Sequence, residues 1–242
     1  TLKDYRDERL SKLDDLKKLG IDPYPASAER THKVSQVTNE FDQLQGKVVS
    51  VVGRVINIRK FGKIAFVVIR DMSGSVQLFL RSGVTAPLDA PRGQLGIEQL
   101  PLLDSGDFVE AHGTVIKTQT GEISVEVERL RLLTKALRPP PHAHDGFTNK
   151  EERLRRRYVD TNANSEVFER FLRRSAFWQA TREFLMSEGF VEINIPILEL
   201  TTGGADATPF VTHMDALDQD FYLRISHELP LKRLLVGGYE KV

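Results

Sequence analysis

Three spacings of apolar residues follow one another along the chain. In residues 3–19 leucines recur at every third position (Leu10, Leu13, Leu16, Leu19), which lines one face of a helix. Gly20 and the proline-bearing run IDPYP then stop it. A second helix is expected over about 34–45. From Lys47 the period falls toward two. Lys47–Lys60, Lys63–Asp71 and Ser75–Arg81 are rich in Val and Ile and are expected as strands, the last two joined at the turn DMSG. PRGQLGIEQLPLL, residues 91–103, suits a short helix. Two further strands, Asp107–Thr118 and Glu122–Leu133, meet at TQTG.

Three strands, a helix and two strands, in that order, make a five-stranded OB barrel with a helix after its third strand. RKFGK and TQTGE then occupy the two loops that flank the face with which such barrels grip oligonucleotides. Serial prolines in LRPPPHAHDG make a stiff polar connector. The expected organisation is therefore helices over 1–46, the barrel over 47–136, a linker over 137–148 and a second domain over 149–242. In that last part NKEERLRRRYVD and a long stretch from about Ser165 to Glu188 are helical in pattern. FVEINIPIL is expected as a strand that stops at Pro196, FYLRIS as another, and HELPLKRLLVGG as a helix stopped by Gly237 and Gly238. The fold class is α+β.

Composition narrows the chemistry. The chain has 242 residues, of which 40% are hydrophobic and 28% charged, so a core of ordinary size forms without a metal or disulfide staple. Cysteine is absent, which excludes disulfides, thiol nucleophiles and thiolate metal sites, and fits a reducing compartment. A cytoplasmic location is expected. No apolar run approaches the roughly 20 residues of a membrane span. The first residues, TLKDYRDERL, are charged from the third position and so are not expected to be a signal peptide, while Thr1 is not an initiator methionine.

Net charge is zero, which argues mildly against a nucleic-acid partner, but its distribution argues the other way. Between positions 47 and 81 stand Lys47, Arg54, Arg59, Lys60, Lys63, Arg70 and Arg81, with Asp71 the only acid. So local an excess is an electrostatic footprint or a solvated sheet face. Single-strand binding needs cations for phosphates and rings for bases. Base choice needs hydrogen bonds to a splayed Watson–Crick edge. Phe66 offers the ring, and the Gln77 amide offers the donor and acceptor that a uracil edge demands. On adjacent strands the two sit side by side, with Arg59 adding charge at the mouth and Glu122 in the last loop able to accept from a base. The same residues admit a plainer reading, with the ring in the core and the amide in solvent.

The later motifs decide the family. LRLLTKALRPPP, RLRRRYVD, GGADATPF and YLRISHELPLKRLLVGG, in that order after an OB-like domain, resemble class II lysyl-tRNA synthetases over essentially the whole chain. The aspartyl and asparaginyl synthetases share this layout. The resemblance implies an OB domain that reads a uridine-rich anticodon, with Phe66 stacking on its central base, Gln77 reading that base, and Arg59 and Glu122 contacting its neighbours. It implies lysine binding through Gly204 and Glu228, and a homodimer formed through the long helix and FVEINIPIL, the first class II motif. It also implies ATP and Mg2+ as cofactors, tRNA(Lys), lysine and ATP as partners, and formation of lysyl-adenylate before transfer to tRNA. Thr208 stands where family members commonly carry a basic residue.

Class II chemistry needs an arginine on the α-phosphate and acids that hold metal. In the family these belong to the second and third motifs, which the 242 residues, ending at GGYEKV, do not include. No catalytic residue and no metal ligand is therefore assigned, and the chain is expected to be a fragment that makes no adenylate by itself in a pyrophosphate-exchange assay. The alternative is a non-catalytic module that binds tRNA or another single strand.

Overall fold

The structure is a computed structural model that describes residues 1–141 and 147–242. It forms two compact units, 1–149 and 150–242. The expected linker, 137–148, falls partly outside the described residues.

The first unit begins with α1 (Leu2–Lys18), which buries Arg9, Leu13 and Leu16. Two of the four patterned leucines thus pack, together with an arginine that no apolar spacing marks. The expected second helix is broken in two, α2 (Val34–Asn39) and α3 (Phe41–Leu44), because Glu40 between them leaves helical geometry. The barrel strands are β1 (Val48–Phe61), β2 (Ile64–Arg70) and β3 (Ser75–Arg81), a two-residue β4 (Gln94–Leu95), then β5 (Phe108–Lys117) and β6 (Ile123–Thr134). The order is β3-β2-β1-β5-β6-β4, and a parallel pairing of β3 with β6 closes the barrel through Gln77–Phe79 and Ser124–Glu126.

β1 serves two neighbours. Its first half pairs with β5 and its second with β2, and Ile56 is left over between the paired Val55 and Asn57. That extra residue bends the strand, as a bulge does. Gly53, three residues before it, lets the backbone of Arg70 approach, since a Cβ there would lie 3.1 Å from the Arg70 carbonyl oxygen. Alternation places Val51, Val55, Ala65, Val67, Ile69, Leu78, Leu80, Val115 and Val125 inside. Alternate residues of the same strands face out.

The expected helix over 91–103 does not form. Pro91, Gly93 and Gly96 break the segment into a three-residue 3-10 turn at Ala90–Arg92 and a six-residue 3-10 helix at Ile97–Leu102, which holds Pro101, on either side of β4.

The second unit holds α4 (Lys150–Arg155), α5 (Arg157–Ala163) and the long α6 (Ser165–Ser187). An antiparallel sheet follows, ordered β7-β9-β8, from β7 (Leu198–Glu199), β8 (Val211–Met214) and β9 (Gln219–Leu223), and then α7 (Glu228–Val236). FVEINIPIL is not a strand over its length, a correction to the sequence expectation. Only Leu198–Glu199 finds a ladder, on β9. Before it, Pro196 lacks an N–H, and the Arg224 guanidinium takes the carbonyls of Ile195 and Pro196 at 2.7 and 2.8 Å. FYLRIS contributes β9, shifted toward its N-terminus, and β8 is a hairpin partner that the sequence reading lacked. Among the described residues no helix is long and apolar enough to cross a membrane.

Candidate nucleic-acid interface

The outward positions of β1, β2, β3 and β6 fall into rows across the barrel. Arg59 lies opposite Phe66, Phe66 opposite Phe79, and Phe79 opposite Glu126. The next row runs Asn57, Val68, Gln77, Ser124. The row between them carries the buried Val67 and Leu78, so both rows lie on the outside. Phe66 and Gln77 are therefore diagonal neighbours rather than a facing pair, and the residue facing the ring is Phe79.

The rings form a platform. Phe66 and Phe79 stack with centroids 5.2 Å apart and planes 20° from parallel, and Phe61 meets Phe66 edge-on at 6.4 Å. Phe66 and Phe79 are half-buried, while Phe61 is 58% exposed. A stacked aromatic pair held by its neighbours presents one flat, low-entropy surface to a base. Sequence reading found Phe66 and missed Phe61 and Phe79. The signal was present, because Asp71 pairing with Gly74 across the DMSG turn fixes which residues of the two strands meet.

Gln77 is half-buried and its amide is tied down. Its Nε2 donates to the Ser124 hydroxyl at 2.9 Å, and that hydroxyl donates to the Glu122 carbonyl at 3.3 Å. Glu122 itself is exposed, in a turn where its N–H donates to Thr118 Oγ1 at 3.1 Å and its carbonyl accepts from the Thr118 N–H at 2.9 Å. All four residues expected to meet an anticodon thus reach one side of the barrel, with Arg59 and Glu122 at its two loop ends.

The cations are not equivalent. Arg81 is held by Glu126 at 2.6 Å, and Lys60 lies 3.7 Å from Glu98. Arg54 covers the Phe108 ring at 4.4 Å and donates to the Gly106 carbonyl at 3.2 Å. Burial, and then the like charge of Arg70, pulls the Arg54 guanidinium below its ordinary pKa. Arg59 and Lys63 are exposed and have no ion-pair partner among the described residues, so their charge is available to phosphate. The one acid of the stretch is structural. Asp71 Oδ1 accepts from the Ser73 and Gly74 N–H groups at 2.7 and 3.1 Å, and Oδ2 accepts from Val34 N–H at 3.1 Å.

In the second unit Gly204 and Glu228 come together. At Gly204 (φ +82°) a Cβ would lie 2.9 Å from Ser226 Oγ and 3.0 Å from Glu228 Cβ, so only glycine fits without displacing them. The Glu228 N–H donates to Ser226 Oγ at 3.1 Å, and its carboxylate binds the Lys232 ammonium one turn along α7. Thr208 is exposed. A cavity of about 560 Å³ lies nearby, between α6, residues 190–197 and α7, but neither Gly204 nor Glu228 lines it. The basic run of α4 and α5 is largely spent on ion pairs. Arg153 and Arg157 clamp the buried Asp160 at 2.9 and 2.6 Å, and Arg155 pairs with Glu151. Burial pushes the Asp160 carboxyl up, but hydrogen bonds from Asn164 and Arg153 outweigh it and hold the group below the usual aspartate range.

Comparison with known proteins agrees with this division. Residues 49–133 match the model of the OB-fold nucleic acid binding domain, and residues 149–242 match that of the class II tRNA synthetases (D, K and N). The chain is 43% identical to a lysine–tRNA ligase of Fervidobacterium nodosum, over 100% of its own length and 47% of the relative's. It is 45% identical to those of Carboxydothermus hydrogenoformans (97% and 46%) and Roseiflexus castenholzii (100% and 49%). The chain spans about half the length of the curated relatives it matches.

Proposed function

We propose that this chain belongs to the lysine–tRNA ligase family of class II tRNA synthetases and supplies the anticodon-binding domain (47–136) and the first part of the catalytic domain (149–242) of such an enzyme. The whole enzyme activates lysine with ATP to lysyl-adenylate and transfers it to tRNA(Lys). The observation that carries this reading is the outer barrel face, where a stacked ring pair, a tethered amide and the cations Arg59 and Lys63, without an ion-pair partner among the described residues, share one surface. An unstacked uridine lies on Phe66 with Phe79 beneath it, Gln77 meets its pairing edge, and Arg59 holds phosphate. Glu122 contacts a neighbouring base from the β5–β6 turn.

Gly204 and Glu228 hold lysine. The Glu228 carboxylate already carries one ammonium, that of Lys232, and the bare backbone of Gly204 lets a ligand approach beside it. ATP and Mg2+ serve the complete reaction. Among the described residues no three His, Asp or Glu side chains group to hold a metal ion, so these residues do not fit the magnesium. A homodimer forms through α6, whose Phe177 and Phe184 are 64% and 63% exposed and lie two turns apart on one side.

The test is fluorescence anisotropy with a labelled stem-loop carrying a uridine-rich anticodon. Phe66→Ala is expected to weaken binding by about 1–3 kcal/mol, the worth of one stacked base. An equal loss on a stem-loop of scrambled loop sequence would count against base reading, since phosphate contacts carry no sequence information.

A further inference from the structure

We propose that Ser124 is a positioning residue that fixes which end of the Gln77 amide faces a bound base, and so makes the site choose a base bearing an imino proton, uridine over cytidine. The inference rests on the reading of the barrel face as a base-reading surface and names what sets its choice. An amide on a surface can turn over and exchange its donor end for its acceptor end. Here it is not free to do so. Ser124 is fully buried and sits opposite Gln77 in the three-residue parallel pairing that closes the barrel. A hydroxyl has one proton, and Ser124 gives it to the Glu122 carbonyl at 3.3 Å. Toward Gln77 it can therefore only accept, and it accepts from Nε2 at 2.9 Å. Turning the amide over would set Oε1 against a lone pair, or break the Ser124–Glu122 bond to recover a proton.

With one Nε2 proton given to Ser124, the amide is held with Oε1 and the second Nε2 proton left for a ligand, and no donor among the described residues takes Oε1. An acceptor so presented pairs with the N3–H of uridine and is repelled by the bare N3 of cytidine. Phe66, one row away, stacks on either base equally. The ring therefore supplies affinity, and the amide, oriented by Ser124, supplies the choice.

The experiment measures the binding ratio of two stem-loops that differ only in uridine or cytidine at the central anticodon position, using the 242-residue chain. The wild-type chain is expected to favour uridine. Gln77→Ala should remove most of that preference. Ser124→Ala should lower the ratio by about five- to tenfold, the worth of one hydrogen bond, while leaving the salt dependence of binding unchanged. Ser124→Thr, which keeps the hydroxyl, should restore the ratio. In the Gln77→Ala background Ser124→Ala should change nothing further, because it acts only through that amide. If Gln77→Ala leaves the ratio intact, the base-reading surface itself is wrong. If Gln77→Ala collapses the ratio and a folded Ser124→Ala retains it, the positioning role alone is overturned. Equal weakening of both stem-loops by Ser124→Ala, with a lowered melting temperature, would show a merely structural hydroxyl and overturn it too.

Discussion

Lys135 has no exposed side-chain surface, yet it carries a charge into the first unit. Its ammonium donates to the Leu102 carbonyl at 2.9 Å and to Asp107 Oδ2 at 2.8 Å, and it also binds Asp104, which Lys12 holds from α1 at 2.8 Å. Burial pushes the Asp107 carboxyl up, with Lys135 pulling against it. At Asp104 burial also pushes up, but hydrogen bonds from Lys12 and Lys135 win and hold it low. Breaking a buried pair on one side costs more than the pair is worth, because the other charge stays behind. Lys135→Met is therefore expected to cost about 3–5 kcal/mol in urea unfolding, and Lys135→Met with Asp107→Asn to recover much of it. None of this is visible in TKALRP, where a lysine beside apolar residues looks like any surface cation. The residues proposed to meet a base were easier to pick out, because a ring and an amide on a basic hairpin are unusual where they stand. What spacing alone did not supply was the partner of each: Phe79 for Phe66 and Ser124 for Gln77.

The β2–β3 hairpin is secured at its tip by Asp71, which caps its own turn and reaches the first N–H of α2. One side chain thus joins the β2–β3 hairpin to the helix packed beside it. Asp71→Ala leaves those N–H groups without an acceptor and is expected to lower stability by about 1–3 kcal/mol. Burial raises the Asp71 carboxyl, but bonds from Ser73 and Val34 outweigh it, so its folded-state value lies below the ordinary one. Its contribution is complete above the ordinary aspartate value and disappears as pH falls through the depressed folded value. Urea midpoints taken down through that range should fall for the wild-type chain and run flatter for Asp71→Asn. Strands with clean alternation were read from sequence to within a residue or so, as were α6 and α7, where glycine ends each run. The failures share a cause. Residues 91–103 carry two prolines and two glycines, and residues 190–198 carry Pro196, inside apolar runs, and their backbone groups go to 3-10 turns or to the Arg224 side chain rather than to a repeating ladder.

The two units differ in how they bury apolar surface. The barrel encloses a continuous core, whereas α6 buries only Val167 and leaves Phe177, Trp178, Phe184 and Met186 exposed. An apolar stripe of this kind calls for a covering partner, and a second copy of the chain is the partner proposed above. Sedimentation velocity should show self-association at micromolar concentration, and Phe177→Glu with Phe184→Glu should raise the dimer Kd by at least about tenfold, since buried aromatic anchors dominate interfaces. A wild-type chain that stays monomeric would remove that proposal. The barrel, for its part, is closed by only three residues of parallel pairing, and two of those residues' side chains, Gln77 and Phe79, lie on the face proposed above to meet RNA. On that proposal an RNA lying across both strands would act as a clasp on this parallel join. By mass action its binding energy adds to closure, so opening of that join and release of the RNA become one event rather than two.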